Sequence, residues 1–493
     1  MRDLLFLSVF SPLTLLSLVH PWSGLLAFGW IAFLKPHSML FTMAGQIPFN
    51  LVVALTTALG WMVSKEKKTV QFDLTAGLIL ALIAITALST AFSLSPGASQ
   101  VELIKLMKTM VFLFLLKVML TSRVRLHGYI WLMAFAMGFF GLNGGALFII
   151  SAGAHKLTGP AFSEIGDRNH LALAMLLAVP LMNYLRLQSR HRWMQLGLMG
   201  AMVMTVMAVL ATYSRGGFIG LLAMGAFLWW KSKSRILALI ALLVVAVGLH
   251  RVAPDRWKER MGTIETAQTE DNSFKLRLLS WYTYAAAAID RPLTGAGPYA
   301  LQDGHVYFRY APGREVIDVA NDRPRAAHSI YFQVLGDLGF IGFFIYIALL
   351  VTGFRNARWL SRQARRRPEL DWMGDLGRMI RVSMIAFCVS GAALSMAYYD
   401  YFLSLLIVLS SVRQMAMAAL GERGATVPRR SRRAATTSRG DRARSDGAAE
   451  RPHQPVDTTA IAGIWQKAAT AKVTRLGRRR PGNRLMPGDG TAR

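Results

Sequence analysis

Long apolar runs are the feature that most constrains how this chain can fold. Runs of roughly 15 to 22 apolar residues recur over about the first 420 positions, and each is long enough to cross a bilayer as a helix. A chain inside lipid must satisfy its backbone internally, either as helices or as a closed barrel. Barrel strands alternate polar and apolar residues, whereas these runs are apolar on every side. The sequence therefore predicts an all-α polytopic membrane protein.

The composition agrees with that class of protein. Hydrophobic residues make up 53% of the 493 positions and charged residues 17%, with a mean hydropathy of +0.36. A soluble domain is about a quarter charged. The single cysteine, Cys388, cannot form an intramolecular disulfide. The apolar segment Leu4–Val19 continues past His20 into more apolar sequence, which predicts a retained first span and no cleaved signal peptide.

Ten of the runs are predicted to cross the membrane. In chain order they are Phe72–Phe92, Leu103–Leu120, Tyr129–Ile150, His170–Leu185, Met194–Leu210, Phe218–Trp230, Ile236–Leu249, Ile330–Phe354, Val382–Ala397 and Phe402–Leu420. Three shorter apolar segments precede them: Leu4–Val19, Trp22–Leu34 and Phe49–Val63. A cytoplasmic N-terminus requires an even number of crossings before Lys65, so one of the three is expected to be partial, re-entrant or fused with its neighbour. The expected total is about 12 transmembrane helices.

Basic loops set the predicted orientation of these spans. The formal net charge is +29, and much of it lies in alternate short loops and in the C-terminal tail. The basic loops are Lys65–Lys68, Arg123–Arg125, Arg186–Arg192, Lys231–Arg235 and Arg355–Arg367. Loops rich in lysine and arginine stay in the cytoplasm, and this assignment orients every later span without contradiction. The charge is thus explained by the membrane, and no nucleic-acid partner is expected.

The same orientation leaves a long loop, residues 251–329, on the outer side together with residues 151–169 and the short turn 213–217. Apolar residues of Phe274–Ile289 recur at helical spacing, which predicts an amphipathic helix lying on the bundle. The segment Arg291–Gly297 follows, and its proline and glycines end a helix. We therefore expect a large helical loop over the outer face.

Composition divides the chain into three parts. Residues 1–70 are predicted to form an N-terminal membrane segment, and residues 71–420 the main transmembrane domain, which includes the loop 251–329. Residues 421–493 contain 17 lysine and arginine residues against 6 acidic ones, a net charge of +11. This segment has too little apolar area to fold alone. It is predicted to be a disordered, basic cytoplasmic tail that contacts anionic membrane lipids.

The segment Tyr213–Gly217 places an arginine and two glycines between two apolar runs. An arginine at the edge of a span often only anchors the helix in the interface. Arg215, however, stands on the predicted outer side, where the positive-inside rule disfavours arginine. Gly216 and Gly217 allow close approach of the backbone and are expected to expose amide donors, and a guanidinium binds phosphate bidentately. We interpret this segment as a phosphate-binding motif.

His328 begins another apolar run and is the candidate general base. A lone histidine at the start of a span is often only an interfacial polar residue. Imidazole nonetheless has a pKa near 6.5, which suits removal of a proton from a sugar hydroxyl at neutral pH. His305 in the same loop is a competing candidate that chemistry does not exclude. Neither histidine has the spacing expected of a metal site, so no metal and no cofactor are predicted.

Two further positions lie at the outer ends of helices. Arg277 lies on the predicted loop helix and is either one more solvated charge or a second phosphate contact from the headgroup layer. Asn169 follows Asp167 and Arg168 at the mouth of a span. It either lines a polar cavity or caps the helix, and capping is slightly favoured.

Taken in order, these motifs resemble the O-antigen ligase/polymerase family of bacterial inner-membrane proteins. The resemblance covers about residues 169–354. It is carried by Tyr213–Gly217, by Arg277 and Trp281 on the loop helix, and by Pro292–Gly297, Ala327–Ser329 and Gly336–Gly342. The N-terminal segment Phe33–His37 further resembles O-glycosylation ligases associated with exosortase systems.

The resemblance implies a glycan transferase that uses an undecaprenyl-diphosphate-linked donor at the periplasmic face, without metal or nucleotide sugar. Arg215 and Arg277 would then hold the diphosphate, and His328 would activate the acceptor hydroxyl. Tyr213, Gly216, Gly217, Asn169 and Trp281 would contact substrate. The acceptor is a lipid, a protein or a glycan, and the long loop is periplasmic.

Three other functions remain open at this point. A glycan polymerase shares the donor chemistry and differs in its acceptor. A polysaccharide transporter or flippase would place ionisable residues or helix breaks at paired mid-membrane positions, whereas the polar motifs here collect at one face. A scaffold within an envelope assembly is the third alternative.

Overall fold

The computed structural model describes residues 2–39, 48–66, 72–161, 163–231, 272–312 and 323–426. The predicted span Ile236–Leu249 and nearly all of the predicted tail, residues 421–493, lie outside these ranges. Within them, every regular element is a helix and no strand is present. The all-α prediction is therefore confirmed for the described residues.

The described chain forms fourteen α-helices. They are α1 (Arg2–Val19), α2 (Pro21–Leu34), α3 (Phe49–Val63), α4 (Leu74–Ala91), α5 (Pro96–Met119), α6 (Arg123–Ile150), α7 (Arg168–Gln188), α8 (Arg192–Ala211), α9 (Arg215–Lys231), α10 (Asn272–Asp290), α11 (Gly304–Tyr310), α12 (Ile330–Ala364), α13 (Asp371–Gly391) and α14 (Asp400–Thr426). Short 3₁₀ turns occur at Pro36–Met39, Ala300–Gln302 and Pro368–Leu370.

Six of these helices are long and apolar enough to cross a membrane: α4, α6, α7, α8, α12 and α14. The apolar helices α1, α2 and α3 are shorter. Charged residues recur along α5 and α13, and α9 has 17 residues. The described residues thus show a multi-pass helical membrane protein with six spans by length and composition, and the expected total of about 12 stays a prediction.

One predicted span is wrong in its position. The prediction Val382–Ala397 followed the apolar run, but α13 occupies Asp371–Gly391, and the chain turns irregularly from there to Asp400. The charged first turns of α13 are tolerated because their side chains pair with each other and with α7. Arg378 forms an ion pair with Asp375, which also accepts a hydrogen bond from the Gln188 amide at 3.1 Å.

The core of the bundle is built around α7. Every side chain from Leu171 to Ala178 is buried, and α7 packs against α6, α8, α9 and α13. The helix α12 packs in turn against α4, α13 and the loop helix α10. Up-and-down connections between these helices bring the starts of α7, α9 and α12 to one end of the bundle, which we call the loop end.

Contacts from α4 and α5 fix the long loop at this end. The Ser89 hydroxyl donates to the carbonyl of Thr294 at 2.6 Å, and the Ser99 hydroxyl donates to that of Pro298 at 2.7 Å. At the opposite end, the Lys117 ammonium donates to Gln414 at 2.9 Å, and Arg125 pairs with Glu66. The described loop segments thus lie at one end of the bundle, and the Lys117 and Arg125 contacts lie at the other.

The loop helix α10 confirms the predicted helix Phe274–Ile289. Leu279, Tyr284, Ala287 and Ala288 form its buried face, whereas Leu278 is 45% exposed. The helix lies on α12, because the Trp281 ring stacks on Phe332 with ring centroids 5.3 Å apart and planes 9° apart.

The glycines that follow α10 dock into a break in α12. Gly339 has φ 67° and ψ −168° inside α12, so one turn of that helix is opened. The freed backbone groups are satisfied by the loop: Phe340 N–H donates to the Pro292 carbonyl at 2.8 Å, and Ala296 N–H donates to the Gly336 carbonyl at 2.9 Å. Gly295 is also left-handed, with φ 65°. A Cβ on it would lie 2.5 Å from the Gly336 oxygen, so only glycine fits both the conformation and the space.

Candidate functional site

A cavity of about 200 Å³ lies at the loop end, and we call it the arginine cavity. It is lined by Arg168, Asn169, Arg215, Leu276, Arg277, Arg325 and His328. Four of the predicted site residues, Asn169, Arg215, Arg277 and His328, therefore line a single cavity. They come from α7, α9, α10 and the non-helical segment before α12, which are far apart in sequence.

Arg215 is placed by the start of α9. Ser214 precedes the helix, and its hydroxyl accepts a hydrogen bond from Gly217 N–H at 3.0 Å, which is the usual way to cap a helix. Tyr213 has a left-handed backbone, with φ 54°, and its buried hydroxyl donates to the carbonyl of Gly153. Tyr213 thus turns the chain into α9 and is absent from the cavity lining.

The two glycines after Arg215 serve helix packing, and the expectation of exposed amide donors is wrong for Gly217. Both glycines are buried, and Gly217 N–H is already bonded to Ser214. A Cβ on Gly217 would lie 2.7 Å from the Cβ of Ala172 on α7. The carbonyl of Gly216 accepts the Ser390 hydroxyl of α13 at 3.0 Å. The glycines therefore let α9 approach α7 and α13 closely, and this sets the position of Arg215.

The first turn of α7 supplies Arg168 and Asn169. The preference for Asn169 as the helix cap is wrong, because Asp167 is the cap. Its carboxylate accepts Asn169 N–H at 2.8 Å and the Asn169 side-chain amide at 2.9 Å. Asn169 therefore lines the cavity, which was the other interpretation of this residue. Arg168 was overlooked in the sequence, although it too is an arginine on the predicted outer side.

His328 has a strained backbone and a weakly basic ring. Its φ of 46° is left-handed, which is uncommon for a residue with a Cβ and occurs most at functional sites. Its N–H donates to the Ser395 hydroxyl at 2.8 Å, which holds the turn in place. Burial lowers the pKa of the imidazole to about 4, helped by the charges of Arg277, His170 and Arg325 and opposed by Asp167. The ring is therefore neutral at pH 7.

Arg277 is brought beside His328 by the docking of α10. Trp281, one turn further along the helix, stacks on Phe332 of α12, which is four residues after His328. Trp281 is thus placed as a packing residue and does not line the cavity. Arg325, three residues before His328, was overlooked in the sequence. The sequence signal for Arg325 is the pair Arg323 and Arg325, which lies on the predicted outer side, where basic residues are disfavoured.

The electrostatics of the cavity favour an anion with more than one charge. Four guanidinium groups line it, and the N-termini of α7, α9 and α12 lie beside it. Helix N-termini carry partial positive charge, and guanidinium binds phosphate oxygens bidentately. Among the residues that the structure describes, no group of three or more histidine, cysteine or carboxylate side chains could hold a metal ion. His305 lies on α11, exposed and outside the cavity lining.

Two family models match the chain. Residues 1–189 match a family of unknown function (DUF5935), and residues 200–347 match the family described as O-Antigen ligase. No curated protein matches the chain significantly. Five of the seven residues that line the arginine cavity lie within the second match: Arg215, Leu276, Arg277, Arg325 and His328. Residues 200–347 are therefore similar to the family described as O-Antigen ligase.

Proposed function

We propose that this protein is a glycan ligase of the bacterial inner membrane. It transfers an oligosaccharide or polysaccharide from an undecaprenyl-diphosphate carrier to an acceptor hydroxyl at the periplasmic face. The observation that carries this proposal is the arginine cavity, in which four arginines surround a neutral histidine at the loop end of the bundle. The family supports a glycan ligase or polymerase role.

The arginines bind the diphosphate of the donor and stabilise it as it leaves. During transfer the bond between the anomeric carbon and the diphosphate oxygen breaks, and negative charge accumulates on that oxygen. Arg215 and Arg277 approach it from α9 and α10, and Arg168 and Arg325 complete the set. Donors that are held in place before the reaction stabilise such charge without reorganisation. Arginines in this role replace the divalent cation that phosphate chemistry often uses.

His328 removes the proton from the acceptor hydroxyl as that oxygen attacks the anomeric carbon. The imidazole gains the proton, the new glycosidic bond forms, and undecaprenyl diphosphate leaves. Burial and the neighbouring arginines hold the pKa of His328 at about 4. A bound diphosphate adds negative charge beside the ring and so raises that pKa. His328 therefore becomes a stronger base when the donor is present, which couples proton removal to donor binding.

We infer the orientation from the short loops of the bundle. The basic loops Arg186–Arg192 and Arg355–Arg367 lie at the end opposite the arginine cavity. Short loops rich in lysine and arginine favour the cytoplasmic side, so we place the arginine cavity on the periplasmic side, where a flipped lipid-linked glycan is available. We propose that residues 421–493 form a basic cytoplasmic tail and that the narrower kinship is with exosortase-associated O-glycosylation ligases. A polymerase differs only in accepting a growing glycan.

The experiment is transfer by the purified full-length protein in lipid nanodiscs, with an undecaprenyl-diphosphate oligosaccharide and candidate acceptors. His328→Ala should lower turnover by about 100-fold or more and leave donor binding nearly unchanged. His305→Ala is the matched control and should be close to wild type, because His305 lies outside the cavity. Transfer should persist in EDTA without ATP. A folded His328→Ala protein with full activity, or activity that requires a divalent ion, contradicts this mechanism.

A further inference from the structure

A second cavity, of about 340 Å³, adjoins the arginine cavity, and we call it the tyrosine cavity. Three carboxylates and three tyrosines are prominent in its lining: Glu102, Glu164, Asp167, Tyr299, Tyr398 and Tyr399. They come from α5, from the segment before α7, from the loop after α10 and from the turn between α13 and α14. Asp167 caps α7 and holds Asn169, and the proposed roles of the arginine cavity do not use the other five residues.

The two cavities meet at His328 and at the first turn of α7. Asp167 lines the tyrosine cavity, whereas the next residue, Arg168, lines the arginine cavity. Ser395 lines the tyrosine cavity, and its hydroxyl accepts the N–H of His328 at 2.8 Å. A molecule that extends from one cavity to the other therefore passes the proposed base.

The tyrosine cavity has the opposite charge character from its neighbour. Its three carboxylates face two cationic or titratable groups, Lys105 and His170. Burial alone would raise the pKa of the Asp167 carboxyl. Hydrogen bonds from Asn169 and the nearby His170 have the opposite and larger effect, so the pKa of this carboxyl is lowered. Asp167 is therefore ionised at neutral pH. A diphosphate is repelled here, whereas neutral hydroxyl groups can donate hydrogen bonds to carboxylates.

Tyr299 adds a feature that suits a sugar ring. It has a left-handed backbone, with φ 63°, and is 41% exposed. The Lys105 ammonium lies 5.6 Å from its ring centroid and also pairs with Glu102 at 3.0 Å, which holds the ring in place. The cavity thus combines an aromatic side chain with charged hydrogen-bonding groups.

We propose that the tyrosine cavity binds a neutral sugar residue during transfer, with a ring face on Tyr299 and hydroxyls on Glu102 and Asp167. The inference rests on the proposed function, because it assigns to the same reaction a site for one of its two glycans. That sugar is either the residue attached to the donor diphosphate or the residue that carries the acceptor hydroxyl. The same contacts suit either sugar, and separate KM values for donor and acceptor distinguish the two.

The first experiment measures KM for donor and acceptor separately. Tyr299→Leu removes the aromatic face and should raise KM for one substrate about three- to tenfold, whereas Tyr299→Phe should stay near wild type. Tyr282→Leu is the matched control, since Tyr282 is also exposed, at 58%, but lies outside both cavities. A rise in donor KM assigns the cavity to the donor sugar, and a rise in acceptor KM assigns it to the acceptor. Unchanged KM for both overturns the proposal.

A binding measurement separates this inference from the proposed function. Saturation-transfer NMR on the full-length protein should detect neutral methyl glycosides, should detect the corresponding uronates more weakly, and should lose the signal in Tyr299→Leu. This readout needs no transfer activity, so it tests the cavity even if no donor reacts. If transfer depends on His328 while Tyr299→Leu changes neither KM nor the NMR signal, the sugar cavity is refuted and the ligase proposal stands.

Discussion

Removing the charge of Arg277 should change the pH dependence of transfer in a defined direction. His328 acts as a base only when neutral, so activity is lost as pH falls through its pKa. In the free protein that pKa is lowered from 6.5 to about 4. Each pKa unit corresponds to about 1.4 kcal/mol, so the folded site disfavours protonation of His328 by about 3 kcal/mol. The acid limb of kcat/KM should therefore lie near pH 4.

Burial is the largest cause of this low pKa, and Arg277 is the second. Arg277→Gln removes the charge and leaves the burial, so the protonated ring becomes less unfavourable. We expect the acid limb of kcat/KM to rise by about 0.5 to 1 pH unit. The acid limb of kcat should lie higher than that of kcat/KM in the wild type, because kcat reports the donor complex.

The assay is initial-rate transfer between pH 3.5 and 8, chosen to span the two pKa values above, with thermal unfolding recorded at each pH. Arg309→Gln is the control, since Arg309 is exposed and lines neither cavity. If Arg277→Gln only weakened donor binding, the rate would fall at every pH and the midpoint of the acid limb would not move. An acid limb near pH 6.5 in the wild type, or a midpoint that Arg277→Gln leaves in place, refutes the placement of the base beside these arginines.

Three further predictions concern the arginine cavity and its support. Arg215→Lys keeps the charge but loses the planar fork, so both donor affinity and turnover should fall, and wild-type kinetics would exclude bidentate binding. Gly217→Ala should destabilise the protein by about 1–3 kcal/mol in thermal unfolding, because α9 meets α7 there; an unchanged melting temperature would contradict that packing. Cysteines at Gly304 and Gly447, with Cys388 replaced, should react with an impermeant thiol reagent from opposite sides of the membrane, and labelling from one side refutes the proposed orientation.

The sequence predicted the helical class and much of the arginine cavity. Apolar runs determine which segments can enter lipid, so α4, α6, α7, α8, α12 and α14 were all expected at nearly their observed positions. Arg215, Arg277 and His328 were expected on one side of the membrane, and the structure places all three in one cavity lining.

The remaining features depend on contacts between distant segments. The first turns of α13 carry charges that hydropathy excludes from a span, and only their partners on α7 explain why the helix continues through them. Asn169 and Asp167 are both good caps by type, so the choice between them depends on the local backbone. Arg168 and Arg325 could not be separated from other loop arginines until the fold brought them to the same cavity. The tyrosine cavity has no local sequence signal at all.

The broken turn at Gly339 separates the proposed catalytic segment from the rest of its helix. Between His328 and the break, α12 contributes only Ile330 to Leu338. The loop N–H groups of Ala296 and Gly297 donate to the Gly336 and Asp337 carbonyls and so tie the end of this short piece. Its position is thus set by the loop as much as by the bundle. Substitutions at Gly295 should therefore impair transfer by displacing the base, while the transmembrane bundle still inserts and folds. A screen for inactive but well-expressed variants should find them in this loop, far along the chain from the arginines.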